Sequence, residues 1–442
     1  MTGVAPERIV HAATCLGCGC ACDDIDVAVR GDRIVEARNA CPLGVAWFGD
    51  GRLPALARVA GRHVSMDNAL DAAARLLTRA ARPLVYLAPD ISCDAQREAV
   101  ALADALRATL DSVTSATVMD SVLAAQERGR AGATLGEIKN RGDVLIFWGI
   151  DPALRYPRYR TRYAPEPAGL HVPDGRRSRT LVSVDVGDSR GPSDADLRVA
   201  LSTAEEVATL TALSALVAGA VPTGDHAVAG TPPGTPGSLT RARELMPTLL
   251  AARYAVLVAD LEPDANHAGR DPGRADALIA LAQALNGPAR CALSLLRAGG
   301  NRSGADAVAT WQTGYPAAVD FSRGYPRYRP YDGTAGARLA RGEVDAVLVI
   351  GSAALVPGEL LSMMAQVRCA VVGPKASESA LAGNEATIDT GVAGIHEGGT
   401  AIRMDDVPIL LRPSVNGPPA AAAVVRTLLD RVMRDRAREA AR

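Results

Sequence analysis

The chain has 442 residues, of which 48% are hydrophobic, and its 48 basic and 49 acidic side chains nearly cancel. A chain of this length buries enough core for two or more domains, and a net charge of -1 gives no reason to expect a nucleic acid or an anionic membrane as partner. No apolar run approaches the roughly 20 residues of a membrane helix, so we expect a cytoplasmic protein.

The first recognisable feature is a cysteine-rich segment at the N-terminus. Cys15, Cys18 and Cys22 follow the spacing C-x2-C-x3-C, and Cys41 stands further along, directly before a proline. In a large cytoplasmic chain such a cluster favours metal binding over disulfides. Three interpretations stay open: a [4Fe–4S] cluster, a structural zinc ion, and a vacant remnant of an ancestral site. Cys20 falls outside the spacing and is predicted to be a bystander.

The rest of the chain alternates between strand-like and helix-like segments. Short apolar runs rich in β-branched residues predict buried parallel strands over 83–89, 143–151, 180–186, 254–261, 345–351 and 369–373. Apolar residues at helical spacing predict helices over 65–81, 204–220 and 274–285, and a C-terminal helix within 413–442. This alternation predicts an α/β protein built on doubly wound parallel sheets. The C-terminal helix packs on its own domain or docks on a partner.

Two arginine clusters interleave with tyrosines. Arg155, Arg158 and Arg162 form the first, and Arg323 and Arg327 belong to the second. Guanidinium groups pair with carboxylates through two hydrogen bonds, so these clusters suit an anionic ligand or a subunit interface. An ordinary surface of an arginine-rich protein is the competing explanation.

Several blocks in order along the chain resemble one family. The segment Thr14 to Gly44 is similar to the opening of the B subunit of formylmethanofuran dehydrogenase, a relative of the molybdopterin-dependent oxidoreductases. Further similar blocks are 122–129, 134–143, 148–163, 311–328, 341–351 and 397–408. The resemblance implies a small Cys-rich domain (1–55) and two Rossmann-like α/β domains around a metal-pterin. We expect the first of these at 56–130 with 330–412 and the second at 131–329, before the C-terminal helix.

One position departs from this family in its chemistry. The resemblance places the metal ligand, a cysteine or selenocysteine, five positions before the block that begins at Val122, and Thr117 stands there. A threonine hydroxyl is a hard, weak donor that cannot replace a soft thiolate on tungsten or molybdenum. Leu43 also replaces the lysine that many relatives carry two positions after the fourth cluster cysteine. We therefore expect no tungsten- or molybdenum-pterin, and no catalytic residue in this chain.

The resemblance then implies a role in a complex. A bacterial formyltransferase/hydrolase complex has a B subunit of this kind, in the tetrahydromethanopterin-linked conversion of formaldehyde to formate during methylotrophy. We expect a non-catalytic subunit that associates with amidohydrolase-like, formyltransferase and C-type subunits and with a methanofuran-like carrier bearing a polyglutamate tail. Arg155, Arg158, Arg162, Arg323 and Arg327 are the candidates for contact with the carrier or a subunit.

Two other functions stay open. The first is an active tungsten or molybdenum formylmethanofuran dehydrogenase subunit with a [4Fe–4S] cluster, and the second is an electron-transfer protein that uses the cluster alone. His396 and Glu397 invite an acid–base interpretation, but the resemblance makes them a signature of the fold.

Overall fold

The structure is a computed structural model that describes residues 6–220, 237–260, 262, 271–381 and 385–440. The chain divides into two compact units, one formed by Met1–Ala116 with Gly299–Arg442 and the other by Thr117–Ala298. The sequence predicts a longer second domain, 131–329. Residues after 298 belong to the first unit because the helix that follows packs there and the next strand joins its sheet.

The strands lie throughout the described chain. They are β1 (Glu7–Ala13), β2 (Ile25–Arg30), β3 (Arg33–Arg38), β4 (Ala57–Val59), β5 (Arg62–His63), β6 (Pro83–Leu87), β7 (Thr109–Ser112), β8 (Val144–Trp148), β9 (Thr180–Val186), β10 (Leu197–Leu201), β11 (Tyr254–Asp260), β12 (Arg290–Leu296), β13 (Val319–Asp320), β14 (Arg327–Tyr328), β15 (Ala346–Ile350), β16 (Arg368–Gly373), β17 (Ala386–Asp389), β18 (Gly399–Ile402) and β19 (Pro408–Leu411).

The helices alternate with these strands. They are α1 (Pro42–Phe48), α2 (Met66–Arg79), α3 (Cys93–Leu106), α4 (Val113–Thr117), α5 (Met119–Arg128), α6 (Leu135–Arg141), α7 (Pro152–Arg155), α8 (Tyr159–Arg162), α9 (Glu206–Val217), α10 (Ser238–Leu250), α11 (Arg274–Leu285), α12 (Arg302–Thr313), α13 (Ala335–Ala340), α14 (Gly358–Met364) and α15 (Ala421–Ala440). Short 3-10 helices occupy Gly175–Ser178, Thr203–Glu205, Ala353–Leu355 and Ala376–Glu378.

The first unit is built on a large mixed sheet. Its strand order is β14-β13-β7-β6-β15-β16-β17-β4-β5, and the central strands from β7 to β17 are parallel. Alternate residues of β15 enter different cores: Leu348 packs with residues of α2, α3 and α15, and Val349 packs with residues of α13 and α14. Both faces of this sheet are therefore covered by helices, which explains its continuous apolar strands. A separate antiparallel sheet, β1-β2-β3, forms the N-terminal part.

The second unit is built on a smaller sheet whose strands are all parallel. Its order is β10-β9-β8-β11-β12, and every neighbouring pair is parallel. Its core includes Trp148 and residues of α9, α10 and α11. The predicted α/β class with parallel sheets is confirmed, and each of the six predicted strands corresponds to an observed strand.

The C-terminal helix packs within its own unit. The buried side chains of Val424, Val425, Leu428 and Val432 join the core that α2 and α3 also line. Arg431 pairs with Asp67 at 2.6 Å. The packing therefore matches the intramolecular alternative of the two that the sequence left open.

No helix among the described residues is long and apolar enough to cross a membrane.

Candidate functional site

The cysteine-rich segment is a buried loop between β1 and β2. Cys15, Cys18 and Cys22 are each less than a tenth exposed. The N–H of Cys15 donates to the carbonyl of Cys22 over 2.9 Å, and the N–H of Ala21 donates to the carbonyl of Cys18 over 3.1 Å. The first and last cysteines of the loop, Cys15 and Cys22, are therefore joined by a backbone hydrogen bond.

The fourth cysteine approaches from the next element. Cys41 precedes α1 as its N-terminal cap and is half-buried. A methyl group placed on Gly44 would lie 3.3 Å from the Sγ atom of Cys15 and 4.0 Å from that of Cys41. The same methyl group would lie 3.1 Å from the Cβ atom of Ala40, so the space beside Gly44 is already filled and a larger residue there would crowd the Cys15 sulfur.

The environment of the Cys15 thiol favours its neutral form when no metal is bound. Burial raises the pKa of the Cys15 thiol far above its usual value, and the nearby thiols of Cys18, Cys22 and Cys41 raise it further. The N–H of Gly17 donates to the Sγ atom of Cys15 over 3.4 Å and opposes this rise in part. Metal binding here would have to release protons.

The four cysteines offer thiolate donors, which both a zinc ion and an iron–sulfur cluster bind. Among the residues that the structure describes, no three or more His, Cys, Asp or Glu side chains are gathered closely enough to hold one metal ion. A cubane is larger than an ion, so its thiolates stand further apart. Four thiols and an N–H directed at the Cys15 sulfur are donors that such a cluster uses, and Cys15, Cys18, Cys22 and Cys41 would hold it.

A pair of glycines supports the loop from below. The N–H of Gly300 donates to the carbonyl of Leu16 over 2.8 Å. A Cβ atom on Gly299 would lie 2.6 Å from the carbonyl oxygen of Gly17, and one on Gly300 would lie 2.3 Å from that of Pro89. Only glycine permits this backbone-to-backbone approach.

The residue after these glycines connects the loop support to the core. Asn301 is fully buried, and its amide nitrogen donates to the carbonyl of Ile91 over 3.0 Å. Its Oδ1 atom accepts the N–H of Ile402 over 2.8 Å, and its carbonyl accepts Nε2 of Gln96 over 3.0 Å. Sequence reasoning missed these residues, although two adjacent glycines followed by asparagine after an apolar run were a visible signal.

The candidate metal-ligand position lies at a helix end. Thr117 is the last residue of α4 and is half-buried. Val118 then leaves the helical conformation, with φ -136° and ψ 18°, before α5 begins at Met119. The chain thus presents a hydroxyl, with no thiol or selenol at this position.

The first arginine cluster is largely folded into its own unit. Arg155 pairs with the buried carboxylate of Asp260 at 2.5 Å, and the hydroxyl of Tyr156 donates to the same oxygen over 3.1 Å. Arg162 lies 5.1 Å from the centre of the Tyr163 ring. Arg158, Tyr159 and Tyr163 are also at least half-buried. Sequence reasoning identified the arginines and missed Asp260, which lies about a hundred residues away.

The second arginine cluster lies in the other unit. Arg327 pairs with buried Asp320, which also accepts Arg338 at 3.0 Å. Burial alone would raise the pKa of Asp320, but the Ser322 hydrogen bonds and the two guanidinium groups hold it below its usual range. Arg323 is exposed in the loop between β13 and β14. The structure therefore separates an engaged arginine from an exposed one within this cluster.

Comparison with known proteins decides the family. No protein-family model matches the chain. It is 32% identical over 422 residues to the B subunit of the tungsten-containing formylmethanofuran dehydrogenase 2 of Methanocaldococcus jannaschii, and the alignment covers 93% of this chain and 95% of that protein. The chain belongs to the family of formylmethanofuran dehydrogenase B subunits. The corresponding protein of Methanococcus maripaludis is 31% identical, over 96% of this chain and 99% of the relative.

A third relative comes from a different complex. The B subunit of the formyltransferase/hydrolase complex Fhc from Methylorubrum extorquens is 28% identical over 86% of this chain and 97% of its own length. A chain in the crystal structure of that complex (FhcABCD) with methylofuran superposes with a TM-score of 0.70 at 24% identity, covering 86% of this chain and 99% of that one. The superposition shows that this member of the family of formylmethanofuran dehydrogenase B subunits shares that fold.

Both ring nitrogens of His396, in the His396–Glu397 pair of this family member, bond to backbone. The Nε2 atom of His396 lies 2.8 Å from the carbonyl oxygen of Gly51, and its Nδ1 accepts the N–H of Val392 over 3.1 Å. Because both ring nitrogens are bonded to backbone, the ring is held as one neutral tautomer, and burial lowers its pKa. This geometry favours a structural role over acid–base chemistry.

Proposed function

We propose that this chain is a non-catalytic subunit of a formyltransferase/hydrolase complex in tetrahydromethanopterin-linked one-carbon metabolism. Membership of the family of formylmethanofuran dehydrogenase B subunits supports the metabolic context, and the Fhc relative supports a complex of this kind. The chain would act through association, while the chemistry of formyl transfer and hydrolysis would belong to amidohydrolase-like, formyltransferase and C-type subunits.

The observation that carries this proposal is the hydroxyl at Thr117. Tungsten and molybdenum in this family need a soft, easily deprotonated ligand, and a threonine hydroxyl is neither soft nor acidic. Met119 and Asp120 follow where the family pattern has glycine and proline. The metal-pterin therefore lacks both its ligand and the small residues beside it.

The proposal includes two Rossmann-like α/β domains and a small Cys-rich domain. Helices on both faces of the large sheet support two Rossmann-like α/β domains of the molybdopterin-oxidoreductase kind. The β1-β2-β3 sheet with its cysteine loop supports a small N-terminal Cys-rich domain. When bound, a [4Fe–4S] cluster would supply one-electron redox chemistry or simply hold the loop in shape.

The two arginine clusters differ in how available their side chains are for a carrier. Arg155 and Arg327 already pair with buried carboxylates, so displacing those pairs for a carrier would be costly. Arg158 and Arg162 are half-buried, and we infer that they contact the polyglutamate tail of a methanofuran-like carrier, because guanidinium groups pair with carboxylates through two hydrogen bonds. Replacing Arg158 and Arg162 by alanine should weaken carrier retention, and more so at low salt, where screening is weakest.

An active tungsten or molybdenum dehydrogenase is the second candidate function. Two relatives at 32% and 31% identity are named as tungsten-containing enzymes, and this chain keeps the four cysteines of the C-x2-C-x3-C…C pattern. This candidate requires that Thr117 or another group bind the metal.

Metal analysis of the complex, purified without oxygen through a tag on this chain, separates the two. We expect about four iron atoms per chain with a cluster bound, and tungsten and molybdenum far below one atom per chain. Near one such metal atom per chain, with pterin released on denaturation, would establish the dehydrogenase and overturn our proposal. The proposal would also be overturned if no companion subunit co-purified with the tagged wild-type chain from the cells that make it.

A further inference from the structure

Three exposed aromatic side chains belong to one stretch of the first unit, residues 311–331. The chain has only three tryptophans and nine tyrosines. Trp311, Tyr325 and Tyr331 are exposed by 67%, 54% and 71%, and no other tryptophan or tyrosine in the described part of the chain is as exposed. Exposed apolar patches often mark interaction sites. Trp, Tyr and Arg are the residues enriched at the energetic centres of protein interfaces.

A stacked pair of tyrosines links the two segments that carry these three rings. The rings of Tyr315 and Tyr328 stack with their centres 5.1 Å apart and their planes 6° apart. Trp311 lies in the last turn of α12, four residues before Tyr315, which follows the end of the helix, and Tyr325 and Tyr331 each lie three residues from Tyr328. The paired strands β13 and β14 form the edge of the large sheet.

Prolines and backbone bonds fix the loop that carries these rings. Pro326 and Pro330 flank β14, and the pyrrolidine ring of each proline fixes its own backbone φ angle. The N–H of Phe321, whose side chain is buried, donates to the carbonyl of Ala108 over 3.0 Å. A surface that is already ordered loses little entropy when a partner binds.

The same stretch carries an excess of positive charge. Residues 311–343 contain five arginines against three carboxylates, a net charge of +2. Four of these arginines have a carboxylate partner within the unit: Arg327 and Arg338 on Asp320, Arg329 on Asp332, and Arg341 on Glu343. Arg323 is exposed and has no described carboxylate partner.

We propose that this surface, defined by Trp311, Arg323, Tyr325 and Tyr331 and called the aromatic edge, docks an acidic face of a different subunit. The aromatic rings would supply the buried centre of the contact and Arg323 its charge complementarity. This inference rests on the proposed function, since it names the surface through which the chain joins the complex.

A polyanionic carrier fits the aromatic edge less well than a protein does. A glutamate chain would find one exposed guanidinium there and would leave three apolar rings in water. A protein face buries the rings and pairs with Arg323 at once. The two occupants predict different responses to the same substitutions.

Hydroxyl-radical footprinting tests the aromatic edge directly. The isolated chain and the purified complex are oxidised in parallel, and the modification of each residue is read by mass spectrometry. We expect several-fold protection of Trp311, Tyr325 and Tyr331 in the complex, with buried Trp148 unreactive in both samples. Equal reactivity of the three residues in a complex that does form would overturn the inference and leave the proposed function standing.

A matched pair of variants completes the test. Tyr331→Ser with Arg323→Glu alters the aromatic edge, whereas Met433→Ser with Arg434→Glu makes the same kind of change at exposed positions of α15. We expect the first double variant alone to lose a companion subunit, by at least several-fold, on purification through the tag. Full assembly of that variant with loss of carrier retention would identify the carrier as the occupant. Self-association of the isolated chain that protects Trp311 would identify a second copy. Either result overturns the inference.

Discussion

The hydroxyl of Ser92 donates a 2.5 Å hydrogen bond to the Oε1 atom of Glu397. The Oε2 atom of the same carboxylate accepts the N–H of Ala421 over 2.7 Å. Ser92 is itself the cap of α3, accepting the N–H of Ala95, and Ala421 is the first residue of α15. One buried carboxylate thus joins the starts of two helices, where its charge favours the helix dipoles.

Replacing Glu397 by alanine should therefore destabilise the chain strongly. The substitution removes a helix cap and leaves buried donors without partners, so we expect a loss of about 2–4 kcal/mol in the free energy of unfolding. Glu397→Gln retains the shape and an oxygen acceptor and should lose less. Denaturant unfolding of the three proteins measures the difference. A catalytic role would instead show both variants as stable as the wild type and equally impaired in the formyl transfer of the assembled complex.

The glycine pair beneath the cysteine loop gives a second prediction. Gly299→Ala would place a Cβ atom 2.6 Å from the Gly17 carbonyl oxygen, and two backbones cannot separate cheaply. We expect a loss of about 1–3 kcal/mol and lower iron retention by the cysteine loop. Gly336→Ala is the matched control, because nothing lies within 4 Å of its Cβ position in α13, and alanine there should add up to about 1 kcal/mol. Equal melting temperatures for the two variants would contradict the close approach.

The sequence predicted the elements that local pattern determines. Runs such as Val144 to Trp148 are apolar throughout, a pattern typical of a strand buried on both faces. β14 has two residues, and β10 alternates exposed and buried side chains, so neither gave such a signal. The cysteine cluster that the chain spacing indicates stays a prediction, and the structure places the sulfurs of Cys15 and Cys41 beside Gly44.

The partners of the predicted residues could not be read from the sequence. Asp260 meets Arg155 because β11 and β8 are neighbours in a parallel sheet, and strand order is not a local property. Asp320 is seven residues from Arg327, but Arg338 reaches the same carboxylate from α13, and that second contact depends on the fold. Cluster composition therefore indicated basic surfaces, whereas the fold decided which arginines are already neutralised.

The carboxylate of Asp90 predicts a pH-dependent stability. It is buried after β6 and accepts the N–H of Ser352 over 2.8 Å, and burial raises its pKa to about 6 despite that bond. A raised pKa in the folded state means that the protonated acid is the stabilised form. Its contribution is complete below the unfolded value near 4 and is lost as the pH rises through 6.

Asp90→Asn keeps the acceptor and stays neutral at every pH. We expect the variant and the wild type to unfold alike near pH 4, and the variant to be more stable by about 1–3 kcal/mol at pH 8. Melting temperatures at several pH values provide the measurement, with Asp430→Asn on the exposed face of α15 as control. Parallel curves for wild type and Asp90→Asn would mean that the carboxylate is not held in its neutral form.

The last prediction concerns which cysteines hold a metal. Cys20 lies in the same loop as Cys15, Cys18 and Cys22 and is just as buried, so it is a matched control for burial and position. Only the other three share the C-x2-C-x3-C spacing, and Cys41 is the thiol that approaches from α1. We expect Cys15→Ala and Cys41→Ala each to abolish bound iron and the visible charge-transfer absorbance after anaerobic reconstitution, because a cubane that loses one thiolate is labile.

Cys20→Ala should keep both the iron and the absorbance, since a small buried residue replaces another of similar size. Circular dichroism of each variant separates loss of ligand from loss of fold. If Cys20→Ala loses iron as fully as Cys15→Ala while remaining folded, the assignment of ligands by spacing is wrong. Uptake of one zinc ion and no iron by the wild-type chain would instead mean that Cys15, Cys18, Cys22 and Cys41 close around a single ion. The loop would then have to contract, because no three ligand side chains among the described residues are close enough to hold one ion.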